Sequence, residues 1–122
     1  MHPPVDPLPI AKLIVTASYR DGAPVTNLQV QKILFSLNAM HVIRFGAPLL
    51  AEAFDQTPYG PVYPAVFEEL DRWGGARIEA DFPDLPQLDP ELEQFVLQSA
   101  RLLRDKPPYD LMQIHAALKG RI

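Results

Sequence analysis

Proline cannot sit in the interior of a helix, because it lacks the donor N–H and its ring meets the preceding turn. Fourteen prolines among 122 residues, about twice the ordinary share, therefore dictate where helices can lie. They leave five long proline-free windows, residues 10–23, 25–47, 65–82, 91–106 and 109–122. Excess proline signals disorder only alongside low hydrophobicity and high net charge. Here 48% of residues are hydrophobic and the net charge is −4, so the prolines read as punctuation of one folded domain.

Each window carries a helical pattern. Ile10, Leu13, Ile14 and Ala17 recur at helical spacing, with Gly22 as the stop. Thr26 followed by Gln29 forms a capping-box signature, and Val30, Ile33, Leu34, Leu37 and His41 then line one face up to Gly46 and Pro48. Pro64 opens a helix carrying Val66, Glu69, Leu70 and Trp73, which Gly74-Gly75 closes. Asp89-Pro90-Glu91 supplies a cap, a first-turn proline and an acid at the positive helix end. The stripe Leu92, Phe95, Val96, Ser99, Leu102 and Leu103 follows. Asp110 with Gln113 opens the last window, which carries Leu111, Ile114, His115 and Leu118. Residues 77–82 alternate polar and apolar, which predicts a short half-buried strand, with residues 52–56 as its partner. The expectation is a mainly α fold: a compact bundle of about five helices with a short two-stranded β-hairpin. Residues 1–9, with Pro3, Pro4, Pro7 and Pro9, read as a stiff tail before a single domain over 10–122.

Several chemistries are excluded. With no cysteine there is no disulfide framework, thiol nucleophile or cysteine-based zinc site, which fits a reducing cytoplasm. The first residues show no secretory signal pattern, and no charge-free run is long enough to span a bilayer. Eleven basic against fifteen acidic residues offer no phosphate-neutralising surface, so nucleic acid is a disfavoured partner. A metal site needs three or four converging ligands, whereas His41 and His115 fall on separate helices. There is no Gly-x-Ser-x-Gly and no glycine-rich phosphate loop. Catalytic residues, metals and cofactors are therefore all expected to be none.

The middle of the chain carries the informative motifs. Thr26 precedes a helix with Val30, Gln31, Lys32, Ile33, Leu34 and Phe35; Gly46, Pro48 and Leu49 give Gly-x-Pro-Leu; and Tyr59, Gly60, Pro61 and Val62 are followed by Pro64 and Phe67. Late in the chain comes Ile114-His115. This arrangement resembles the SocA-like, or Panacea, antitoxin-domain family of phage-associated GepA-like proteins, over Ile10 to His115. The chain departs from the family pattern at Thr57, where an aromatic is usual, and at Phe35, where tyrosine is usual. It also lacks the Pro-Trp and further helix that follow the histidine in the family, so the expected domain is short of that last helix. The resemblance implies a non-enzymatic, helical, cytoplasmic protein that neutralises a toxin by binding it. It also implies, for some members, delivery of the toxin to a Clp-type protease.

Gly60 and Pro61 make a rigid loop that either presents Tyr59 and Tyr63 to a partner or locks the entry to the Pro64 helix. Gln31 and Lys32 flank the apolar stripe, Lys32 exposed and Phe35 at the core edge. Trp73 is core packing or an anchor for a partner. The candidate partner-binding set is thus Gln31, Lys32, Phe35, Tyr59, Gly60, Pro61, Val62, Tyr63 and Trp73, on a face formed by the 26–44 helix and the 59–63 loop. Net negative charge favours a basic protein partner. Two alternatives stand beside the antitoxin reading. One is a phage-encoded inhibitor of a host defence complex. The other is a DNA-binding regulator, which ranks third because the second helix offers only Lys32 and Arg44 as cations.

Overall fold

The computed structural model describes residues 3–58 and 60–106. In chain order these form α1 (Pro7–Arg20), α2 (Asn27–Phe45), β1 (Asp55–Thr57), β2 (Gly60–Val62), α3 (Pro64–Leu70), a 3-10 turn (Asp71–Trp73) and α4 (Pro90–Arg104). The fold is mainly helical, four helices with one two-stranded antiparallel hairpin among the described residues. The expected helix from Asp110 lies outside those residues.

The helix ends follow local chemistry. Gln29 N–H donates to Thr26 Oγ1 at 3.2 Å while Thr26 N–H donates to Gln29 Oε1 at 2.8 Å, closing the capping box at the start of α2. Gly46, at φ +78°, ends that helix in the left-handed conformation. Asp89 Oδ2 accepts from the N–H groups of Glu91 and Leu92 at 3.2 and 3.4 Å, capping α4. At α1 the same device begins earlier than the apolar spacing indicates. Asp6 Oδ1 accepts from Leu8 N–H at 3.0 Å, and Pro7 occupies the first turn. Part of the stretch expected as a stiff tail is therefore helix. Val5 is tied down as well: its N–H donates to Leu49 O and its carbonyl accepts from Ala51 N–H, both at 2.8 Å.

Helix α2 is the central element. Val30, Ile33, Leu34, Leu37 and Ala39 are fully buried, and Gln31, Ser36 and His41 are buried with them. Helices α1, α3 and α4 and strand β2 all pack on α2, so it buries nearly its whole circumference rather than one stripe. An exposed cluster joins α1 to α4. Asp21 accepts from Arg101 Nε at 2.8 Å and pairs with Arg104 Nη1 at 2.9 Å, and Arg104 also donates to Ser18 Oγ at 3.2 Å.

The hairpin is not the expected one. Residues 77–82 do not pair with 52–56; β1 pairs with β2, in the register Asp55↔Val62, Gln56↔Pro61 and Thr57↔Gly60. The alternation in 77–82 has another cause. This extended segment lies across the helix ends, burying Ile78 and Phe82 while Glu79 and Asp81 face out. Its backbone is satisfied by Ile78 N–H donating to Val25 O at 2.7 Å and Phe82 N–H donating to Thr16 Oγ1 at 3.1 Å. Half-burial imposes a period of two whether or not a ladder partner is present.

Candidate functional site

The N-terminal half of α2, the hairpin and the start of α3 form one unit, held by a buried chain of amides. Gln31 Oε1 accepts from Tyr63 N–H at 2.7 Å, Gln31 Nε2 donates to Asn27 Oδ1 at 3.0 Å, and Asn27 Nδ2 donates to Phe67 O at 3.0 Å. Tyr63 offers no side-chain cap to the α3 N-terminus; α2 holds the residue that leads into that helix through Gln31. The carboxylate of Glu52 sits nearby and accepts from Ala65 N–H at 3.4 Å. Within the hairpin Thr57 Oγ1 donates to Gly60 O at 2.8 Å.

Three aromatic side chains stack under this unit. Phe54 meets Phe35 edge to face at a centroid distance of 4.9 Å and meets Tyr63 at 6.3 Å. Phe35 and Tyr63 are buried, whereas Phe54 is 36% exposed. Phe54 is therefore an apolar ring held in a fixed orientation at the surface, next to the exposed Asp55 and Gln56. The Tyr63 hydroxyl is buried and has no hydrogen-bond partner among the described residues. Desolvation, reinforced by the negative charge of Glu52, pushes its pKa well above the ordinary phenol value.

Of the residues singled out by sequence, Gln31, Phe35, Pro61, Val62 and Tyr63 are buried and form the support of this face. Lys32, expected to be exposed, is half-buried instead. Its ammonium lies 3.3 Å from the position a Cβ would take at Gly60, so it underlies the hairpin. Desolvation lowers its pKa from the ordinary lysine value. Gly60 is partly exposed at φ +106°, a conformation that favours glycine. Tyr59 lies outside the described residues. Trp73 is half-buried at the end of the 3-10 turn; its ring meets Phe82 at 6.1 Å and Arg72 stacks on it at 4.3 Å. The structure thus brings all the described candidates except Trp73 into one unit. Asn27 and Phe54 join that unit without having been singled out. Asn27 gave no signal beyond a first-turn polar residue, and Phe54 was concealed by the strand expected over 52–56.

The Gly46-x-Pro48-Leu49 segment is fixed by side chains of α2. Asn38 Oδ1 accepts from the N–H groups of both Leu49 and Leu50, at 2.8 and 2.9 Å, and His41 Nδ1 donates to Ala47 O at 2.6 Å. Leu49 is then fully buried. The His41 imidazole is committed to this loop and to ring contacts with Phe45 and Phe95. Among the described residues no cluster of three His, Cys, Asp or Glu side chains could hold a metal ion, and no helix is long and apolar enough to cross a membrane.

The two motif-bearing segments, Gly46–Leu49 and the hairpin, are therefore both anchored to α2. The family model described as antitoxin SocA-like, Panacea domain, matches residues 30–95, from α2 through the hairpin and α3 into α4. The chain belongs to the SocA-like Panacea antitoxin-domain family. It is also 30% identical over 63 residues to antitoxin SocA of Caulobacter vibrioides. That match covers 52% of this chain and 34% of the relative, so the chain spans about a third of its length. No solved structure matches the chain. Within this Panacea domain, the asparagine, histidine and glutamine side chains Asn38, His41 and Gln31 of α2 hold the backbone of the motif segments.

Proposed function

We propose that this Panacea domain is an antitoxin that neutralises a toxin protein by direct binding, without catalysis. The observation that carries the reading is the family match over residues 30–95, which takes in most of α2, the hairpin and α3. The contact face would be the hairpin side of that unit. Phe54 supplies an apolar anchor whose orientation is already fixed by Phe35 and Tyr63, so little ordering cost accompanies binding. Gln31, Lys32, Phe35, Pro61, Val62 and Tyr63 would support the face from below with Gly60 in the hairpin, and Tyr59 is proposed from its place in the motif as a further contact residue. Trp73 would contribute as a separate anchor. Asp55 and Glu52 next to Phe54, with a net charge of −4 overall, favour a basic toxin surface.

The test is co-expression with the toxin encoded beside the gene. The chain is expected to restore growth and to co-purify with the toxin. Phe54→Ser should abolish both while helical content and cooperative unfolding are retained. Failure of the wild-type chain to restore growth would remove the toxin reading, and rescue by Phe54→Ser at the wild-type level would remove this face. The family resemblance extends the reading one step further, to delivery of the bound toxin to a Clp-type protease. In that case the toxin half-life in vivo shortens when the chain is present and lengthens when the protease is deleted. Neutralisation with an unchanged toxin half-life leaves binding alone as the mechanism.

A further inference from the structure

On the side of α2 away from the hairpin, the last turns of that helix and the first turns of α4 enclose a groove of about 800 Å³. His41, Arg44, Phe45, Leu92, Phe95 and Gln98 line it. A smaller hollow of about 250 Å³ continues it past Arg44 and Phe95 toward the exposed Ile43. The floor is aromatic: Phe45 and Phe95 meet edge to face at 5.8 Å, with the His41 ring against both.

Arg44 is the unusual member. Its guanidinium lies 5.0 Å from the centroid of Phe45 and 5.9 Å from that of Phe95, and among the described residues it pairs with no carboxylate. The two acids that line the same groove are differently placed. Asp89 is committed to the α4 cap through Oδ2, and Glu91 stands on α4 one turn before Phe95. A guanidinium stacked on two rings is held in position but keeps its in-plane N–H donors available. An exposed arginine with this geometry reads a carboxylate lying directly over an apolar floor.

We propose that this groove is a peptide-binding site for a partner segment in which an apolar side chain stands next to a carboxylate. The apolar side chain rests on the floor made by Phe45 and Phe95, and the carboxylate takes the Arg44 guanidinium beside it. The site is separate from the hairpin face and does not rest on the toxin reading.

The test uses the full chain, isotope-labelled, titrated with acetyl-Leu-Phe-Asp-amide and with acetyl-Leu-Phe-Asn-amide, followed by NMR chemical shifts. The acidic peptide is expected to move the signals of Arg44, Phe45 and Phe95, and to bind at least fivefold more tightly than its neutral counterpart. Arg44→Gln, at an exposed position that leaves the core intact, should reduce that preference to unity. Equal binding of the two peptides, no shift in the groove, or a preference that survives Arg44→Gln overturns the proposal. So do groove shifts on simple dilution of the free protein, which would assign the groove to a second copy. Contacts from the Phe95 ring to residues 107–122 in the free protein would assign it to the chain itself and also overturn the proposal.

Discussion

The side-chain oxygen of Gln31 accepts a hydrogen bond from the backbone N–H of Tyr63 at 2.7 Å, across 32 residues of sequence and in a buried setting. Through it α2 holds the junction of β2 and α3. Tyr63 precedes α3 without a side-chain cap of its own; Gln31 fixes the Tyr63 backbone, while Glu52 accepts from the first-turn Ala65 N–H at 3.4 Å.

Replacing Gln31 with leucine keeps the volume and removes both of its bonds. The Tyr63 N–H and the Asn27 Oδ1 then lose their bonds to Gln31 in a buried setting, each at a cost of about 1–3 kcal/mol, while Asn27 Nδ2 keeps its bond to Phe67 O. We expect Gln31→Leu to lose about 3 kcal/mol of stability in urea unfolding, with faster hydrogen exchange at the Tyr63 amide. Unchanged stability together with lost toxin binding would instead make Gln31 a direct contact.

This bond also marks the limit of what the sequence shows. Thr26 with Gln29, and Asp89 with Pro90, are legible because a cap and its acceptors lie within one turn. The partner of Gln31 lies on another element, and a glutamine beside an apolar stripe looks the same whether it faces water or a backbone N–H. The hairpin was hidden for a different reason. Its strands are three residues each, and Pro61 carries no N–H for a ladder. The 77–82 segment, by contrast, shows a clean alternation that comes from half-burial without a ladder. Even so, the motif order around Gly46–Leu49 and Tyr59–Val62 led to the unit that the structure assembles, because those loops are shaped by local glycine and proline geometry.

Gly60 tests the hairpin. Its φ of +106° lies where side chains with a Cβ are strained, and that Cβ would stand 3.3 Å from Lys32 Nζ. Gly60→Ala is expected to cost about 1–3 kcal/mol, the range for a residue held in a disfavoured backbone region. Pairing it with Lys32→Ala should recover only the contact share, read as non-additivity in a double-mutant cycle. Full recovery would show that the backbone of this hairpin accepts alanine freely.

Asp21 tests the α1–α4 cluster through pH. Its hydrogen bond from Arg101 lowers its pKa most; burial opposes this, and the hydrogen bond from Arg104 and the charges of both arginines add to the lowering. A lowered carboxylate in the folded state stabilises above the unfolded value of 3.8, and that stabilisation fades as pH falls through the folded value. The group is exposed, so Asp21→Asn should cost less than about 1 kcal/mol at pH 7. The difference between variant and wild type should shrink below about pH 4 and under high salt. A difference that stays constant from pH 7 down to pH 2 would show that the ion pairs contribute nothing through charge.

Tyr63 gives the opposite end of the pH scale. The folded chain holds its phenol neutral by burial and by the nearby charge of Glu52, while in the unfolded chain the phenol loses its proton near the ordinary value of 10.0. The unfolded state therefore binds fewer protons above that pH, and stability falls as pH rises. Tyr63→Phe removes this coupling. It also removes a buried hydroxyl that has no partner among the described residues, a group whose desolvation costs about 1–3 kcal/mol. At pH 7 the variant should thus be as stable as wild type or up to about 1 kcal/mol more stable. At pH 11 the gap should widen in favour of the variant. Urea midpoints of the two proteins at both pH values decide it. A variant that is less stable at pH 7, with the same loss at pH 11, would mean that the hydroxyl makes a stabilising bond and that its titration plays no part in folding.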